Sequence, residues 1–287
     1  MNISLVVTSY DRQRDLDRFA RGIAQQTSGG DIELIFVAQG GARILIPNEC
    51  PATIRVVERP AASRIPLSKA RNIGVQFFGG DIIGFPDDDC WYEPDLLCKV
   101  VQYFDDHPDV DCICTNVFDP ERQLSYGKRP IGVVQKVSFL NLFRLPTSAG
   151  MFIRRGAFLK IGGCFNEFLG VGTRIGSGEE IEVVARLLSE SLTVHYVGSI
   201  QVYHPVLAYS PSDIAKNYQY GMGFGYLNGL LIKGGHLLVA IFFCEIVARS
   251  CVGMVKHVFR PINRSVYSSR LRGIISGFRA GWSTNAQ

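Results

Sequence analysis

The chain has 287 residues, a net charge of +4, 47% apolar residues and 20% charged residues. This length accommodates one large α/β domain with a tail or two small domains, and the composition excludes a largely disordered chain. The mild net charge gives no case for a nucleic-acid partner. Eight cysteines, at positions 50, 90, 98, 112, 114, 164, 244 and 251, include no CxxC pair. That excludes a zinc knuckle and a secreted disulfide framework, and the thiols read as reduced and mostly packed in a cytosolic protein. The N-terminus enters an apolar strand with no basic leader or cleavage site, so no signal peptide is expected.

Short apolar runs alternate with helical patterns over the first third, as parallel βαβ units do. Residues 3–7 form the first strand, ending at the polar group Thr8-Ser9-Tyr10-Asp11. A helix follows with Leu16, Phe19, Ile23 and Ala24 on one face, stopped at Gly29-Gly30. Residues 32–37 form the second strand, closed by Gly40-Gly41, and residues 53–57 the third. The spacing of Ala70, Ile73, Gly74 and Phe77 predicts a helix over 68–78, terminated by Gly79-Gly80. Residues 81–85 are a short buried strand that runs directly into Pro86-Asp87-Asp88-Asp89. Ligands of an open parallel sheet bind beyond the carboxyl ends of its strands. Thr8, Gln39 and the aspartates should therefore share one rim. Further strands are expected at 110–114 and 149–153. A glycine-rich loop over 170–178 then leads into a helix opening on Glu179-Glu180, and one or two last strands over 194–202 end at His204-Pro205.

Three consecutive aspartates at a strand end repel one another unless a cation or protonation relieves them. Hard divalent cations such as Mg²⁺ and Mn²⁺ take oxygen ligands and bridge to phosphates, so one reading is a metal–diphosphate site. The other is an acidic helix N-terminus, because a helical run follows from Glu93. Glu179-Glu180 divides in the same way, between acids favoured at the first turn of a helix and a general base for a sugar hydroxyl. His204 is either an additional metal or phosphate ligand or a structural hydrogen-bonding residue. Trp91 is either a stacking platform for an acceptor sugar or a half-buried core aromatic. The glycines at 221, 223 and 225 lack the spacing of a dinucleotide loop, as do those at 170 and 172.

Taken in order, these segments resemble the family 2 inverting glycosyltransferases. Residues 4–12 (SLVVTSYDR) match the opening strand, residues 68–74 (SKARNIG) the Ala-Arg-Asn-x-Gly helix, and residues 80–89 (GDIIGFPDDD) the DxD strand end. Residues 161–167 (IGGCFNE), with the loop through Ser177-Gly178-Glu179-Glu180, match the acceptor-side block. The resemblance covers roughly residues 3–205 and implies a GT-A fold, an α/β Rossmann-like mixed sheet flanked by helices. It also implies a nucleotide-diphosphate sugar donor with Mn²⁺ or Mg²⁺. Thr8, Tyr10, Arg12, Gln39, Arg71, Asp87 and Asp88 would face the donor. Asp89 would be the direct metal ligand, Asp87 would lie near the ribose and the metal's waters, and His204 is a further candidate ligand. Glu180 would be the catalytic base, with Glu179 and Trp91 on the acceptor side. Two departures stand out. Gln39 lies where the family often carries an aspartate near the base or ribose, and Glu180 replaces aspartate, one methylene longer. A UDP-sugar is the favoured donor and a glycan or lipid-linked glycan the expected acceptor. The competing readings are a metal-dependent nucleotidyltransferase and a catalytically silent sugar-nucleotide binder or membrane scaffold.

The remainder of the chain, 206–287, reads as a helical, basic extension to a catalytic domain of 1–205, itself split near 115 into nucleotide- and acceptor-binding halves. No acid follows Glu245, while Arg249, Lys256, Arg260, Arg264, Arg270, Arg272 and Arg279 do. The apolar run 237–244 is shorter than the roughly eighteen residues expected of a spanning helix. It fits an interfacial amphipathic helix or, alternatively, a buried helix or oligomer contact. The expectation is a cytoplasmic protein, peripheral on the anionic inner face of the cell membrane.

Overall fold

The computed structural model describes residues 1–27, 31–45, 52–58, 64–206 and 213–284. The expected stop at Gly29-Gly30 and Cys50 lie outside them. The first half alternates β1 (Ile3–Tyr10), α1 (Gln13–Ala24), β2 (Ile32–Gln39), β3 (Ala52–Glu58), α2 (Leu67–Gly74), β4 (Ile82–Gly84) and α3 (Leu96–Asp106). β1 lies between β2 and β4, with β3 beyond β2, all parallel. Their carboxyl ends consequently point the same way, which places Thr8, Gln39 and the aspartates after β4 on one rim.

α2 is shorter than its apolar spacing predicts. After Gly74 the chain turns to reach β4, with the Gly79 N–H donating to Glu33 and the Gly80 N–H to Ser4 Oγ. Gly74 also brings α2 down onto the sheet, because a Cβ there would lie 2.4 Å from Val6 Cγ1.

The sheet then becomes mixed. It continues through β5 (Cys112–Asp119), β6 (Leu124–Ser125), β7 (Val134–Lys136), β8 (Met151–Arg154) and β9 (Val194–Tyr203), with α4 (Arg155–Lys160) and α5 (Glu179–Ser189) between the last two. The order is β3-β2-β1-β4-β8-β5-β9-β7, with β6 on β5. β8 runs antiparallel to β4 and β5, whereas β9 is parallel to β5 with a register shift after Thr115. One apolar core fills the face covered by α1 and α3, where Leu5, Val7, Phe19 and Phe104 are buried. The other lies under α4 and α5, with Phe85, Phe158 and Val184.

That second core continues into α6 (Asp213–Lys233), which with α7 (Val239–Lys256) and α8 (Pro261–Ser283) forms the C-terminal extension. α6 and α8 cross at backbone contact. Gly221, Gly225 and Gly229 face Gly273, Gly277 and Gly281, and a Cβ on Gly277 would lie 2.1 Å from the Met222 carbonyl. Small residues four apart on both helices permit this approach. α7 packs one side on the pair, through Phe242 against Phe224 and Phe243 against Phe278, and Phe242 also stacks on Phe143 in the segment before β8. No described helix is long and apolar enough to cross a membrane. Among the described residues, seven cysteines are unbridged; Cys90, Cys112 and Cys114 are buried, and Cys164, Cys244 and Cys251 are exposed.

Candidate active site

Asp87, Asp88 and Asp89 stand in the turn after β4, well before the first turn of α3, which carries no acid. They are therefore not helix caps, and other groups hold them. Asp88 accepts from Ser9 Oγ at 2.6 Å, and Arg12 Nη1 lies 3.2 Å from Asp88 and 2.9 Å from Asp89. Arg12 reaches them from the end of β1, beyond Asp11, whose φ of 61° turns the chain sharply. On the other side, Trp91 and Tyr203 exchange both backbone hydrogen bonds, at 2.9 and 3.0 Å. That bridge ties the aspartate turn to the end of β9 and brings His204 Nε2 to 3.1 Å from Asp89. The three carboxyls consequently differ. Burial pushes Asp87 and Asp88 up; Asp89 is held below the ordinary range, because the hydrogen bond and charge of His204 with the charge of Arg12 outweigh burial.

Arg71 joins this acidic turn to the helix that carries the second pair of acids. Its side chain is 1% exposed, and it donates to Asp87 at 2.9 Å, to Glu179 at 3.2 Å and to Ser148 Oγ. The guanidinium lies 5.3 Å from the Phe165 ring centroid. A planar fork with several donors is suited to holding two carboxylates at once. Arg71 thus contacts protein groups.

The glycine-rich loop sets the position of α5. Gly170, Gly172, Gly176 and Gly178 all adopt positive φ, and at Gly170 a Cβ would meet Ser68 Oγ at 2.7 Å and Glu179 Oε2 at 3.1 Å. Ser68 Oγ donates to the Leu169 carbonyl and the Leu67 N–H to Val171, which fastens the loop over α2. Glu179 is then buried against Arg71, while Glu180 is half-buried. Burial and the neighbouring charge of Glu179 push the Glu180 carboxyl up to about 8. Such a group is a stronger base than an ordinary glutamate.

The other expected residues lie around the rim. Thr8 is half-buried at the end of β1, and the Tyr10 ring covers Gly40, with the Arg64 guanidinium 5.8 Å from its centroid. Gln39 is buried and its Oε1 accepts from the Ile65 N–H at 2.9 Å. The Trp91 ring stacks under the Arg18 guanidinium at 4.0 Å and meets Tyr203 edge-on, on the α1 side of the aspartate turn. Sequence reasoning missed Tyr126 and Tyr220. Both residues are 38% exposed, and both sense the charges of Glu180 and Asp87. Tyr126 also lies 6.2 Å from the His204 ring. Nothing local marks either tyrosine, because one follows β6 and the other belongs to α6.

The donor set for a cation is Asp87 and Asp89, whose oxygens lie within 4.8 Å of each other and of Cys90 Sγ. Burial raises the Cys90 thiol well above its ordinary value, so it stays protonated and the set is one of oxygens. That fits a hard divalent cation such as Mn²⁺ or Mg²⁺.

The sequence profile of "Glycosyl transferase family 2" matches residues 4–162, from β1 through α4. The chain belongs to this family. An uncharacterized glycosyltransferase of Haemophilus influenzae is 26% identical over 197 residues, 66% of this chain and 62% of that protein. The family 2 chain therefore spans less than two thirds of that relative. Among solved structures, S. aureus TarS 1–349 in complex with UDP-GlcNAc gives a TM-score of 0.55 at 15% identity, over 78% of this chain and 66% of that one. The mannosyltransferase PcManGT from Pyrobaculum calidifontis, in complex with GDP-Man and Mn²⁺, gives 0.60 at 11% identity, over 96% and 86%. At these identities the likeness is one of fold, the GT-A arrangement of a mixed sheet between helices.

Proposed function

We propose that this family 2 protein is a metal-dependent inverting glycosyltransferase. It moves a sugar from a nucleotide-diphosphate donor, a UDP-sugar by preference, to a hydroxyl of a glycan or lipid-linked glycan. The observation that carries this reading is the Arg71 bridge. It holds the acidic turn after β4 and the first turn of α5 in one rigid frame, with Glu180 beside it. Asp87 and Asp89 would hold Mn²⁺ or Mg²⁺, which would neutralise charge growing on the leaving diphosphate. Thr8, Tyr10 and Gln39 line the base and ribose end of the rim, and Arg12 anchors Asp88 and Asp89. Glu180 accepts the proton of the acceptor hydroxyl as its oxygen bonds to the anomeric carbon. The bond from that carbon to the diphosphate breaks on the opposite face, which inverts the configuration. Tyr126 and Tyr220 flank this base on the acceptor side, so the extension after residue 205 completes the site that residues 1–205 begin.

The TarS and PcManGT complexes, with UDP-GlcNAc and with GDP-Man and Mn²⁺, support donors of this class. A peripheral site on the inner face of the membrane fits a lipid-linked acceptor. Thermal shift with a panel of nucleoside diphosphates, with and without Mn²⁺, tests the donor half. Stabilisation by UDP that requires the metal is expected. A preference for GDP would revise the base, and no shift with any nucleotide would favour a scaffold protein.

A further inference from the structure

α7 is partnered on one side only. Its inner face packs Phe242 and Phe243 onto α6 and α8, and Gly253 sits against the Tyr267 ring. Its outer face carries Ile241, Cys244, Ala248, Val252 and Val255, all exposed and three or four residues apart, and the stripe continues to Phe259 in the turn into α8. Val255 is 75% exposed and Phe259 95%. A single exposed apolar residue is ordinary, but a continuous stripe along an 18-residue helix, roughly 27 Å, marks an interface.

Charge identifies what covers it. Lys256, Arg260 and Arg264 are exposed beside the stripe, and no acid follows Glu245 to offset them. A second copy of the chain on a two-fold axis would bring like charges together. At the turn, Val258, Pro261, Arg264, Ser265 and Ser268 line a groove of about 310 Å³. A guanidinium with two hydroxyls offers the donors that a phosphodiester accepts, beside an apolar wall.

We propose that the outer face of α7 and the turn into α8 dock on an anionic phospholipid bilayer. α7 lies in the plane of the interface, Phe259 enters the acyl boundary, and the groove at the turn holds a headgroup phosphate. This rests on the membrane placement given above and names the surface that makes it. α7 is not long and apolar enough to cross a membrane, and its one-sided apolar stripe beside cations suits lying in the interface.

Sedimentation of the full chain with phosphatidylcholine vesicles, with and without phosphatidylglycerol, tests the proposal. The wild type should sediment with the anionic vesicles and be released by salt. The Val255→Ser, Phe259→Ser double variant should lose at least about tenfold in partitioning, and Arg264→Ala should weaken the preference for phosphatidylglycerol. Both variants should keep wild-type donor hydrolysis in solution and wild-type thermal unfolding, since the replaced side chains are exposed. If the wild type never sediments, the membrane placement falls and this surface with it. If wild type and double variant sediment equally, the placement stands and this surface is wrong. Concentration-dependent dimerisation abolished by the double variant, without vesicle binding, would assign the face to a second copy and overturn the proposal.

Discussion

At the residue scale the proposed chemistry rests on half-buried Glu180 and buried Arg71. Glu180 is raised to about 8, above the ordinary glutamate range. Through the interval between those values the folded chain holds a proton that the unfolded chain releases, so this residue costs stability as pH rises across it. Glu180→Gln should therefore melt higher than the wild type near the top of that interval and converge with it under mildly acidic conditions. The same substitution should lower turnover by about 10²- to 10⁴-fold while leaving donor binding intact. In the wild type, kcat/KM should climb with pH through about 8, and a profile flat across that range would remove Glu180 from the role. Arg71 acts differently. Replacing it with alanine leaves Glu179 buried without its cation and should cost about 3–5 kcal/mol in urea unfolding. Arg71→Lys keeps the charge but loses the fork. Its stability loss should be smaller, with turnover still reduced because one ammonium cannot hold Asp87 and Glu179 together.

Glycine decides the packing of the elements, and its effect depends on what lies opposite. Gly277→Ala would press a methyl into the Met222 carbonyl and should cost about 1–3 kcal/mol in urea unfolding. Gly156, inside α4, has nothing within 4 Å of its missing Cβ and no positive φ. Gly156→Ala should instead stabilise by about 0.5–1 kcal/mol. A loss at Gly156, or none at Gly277, would contradict the packing described. The parallel strands of the first half were legible because each is a short apolar run between turn residues, and the aspartates because three acids at a strand end are chemically conspicuous. β6 and β7 were not, being two and three residues long and lacking an apolar run. The helix pair was also written in the sequence, as glycines four apart at 221, 225 and 229 and at 273, 277 and 281. Reading 221, 223 and 225 as a failed dinucleotide loop hid it. Gly223 belongs to a different face, where a Cβ would lie 2.4 Å from the Ser177 carbonyl.

Across the whole molecule, one core joins the sheet to the C-terminal helices, since Met222, Tyr226 and Leu227 pack with Val183 and Phe165. The loop before Glu179 is held from two directions, by α2 through Ser68 and by α6 through Gly223 and Gln219. No reading of the extension by itself reveals this. Tyr126, Tyr220 and the bond from His204 to Asp89 arise only when β9 and α6 are brought to the aspartate turn. The outer stripe of α7 lies outside that core, which would keep the proposed membrane docking and the proposed catalysis on separate surfaces.

The acidic turn and Glu180 are proposed to form one sugar-transfer site. Release of nucleoside diphosphate from UDP- and GDP-sugars in Mn²⁺, by wild type and Glu180→Gln side by side, tests it most directly. The wild type should release it, EDTA should abolish that release, and the variant should bind the same nucleotide with turnover down by about two orders of magnitude or more. Equal release by both proteins, or none by the wild type with any donor that binds, would contradict it.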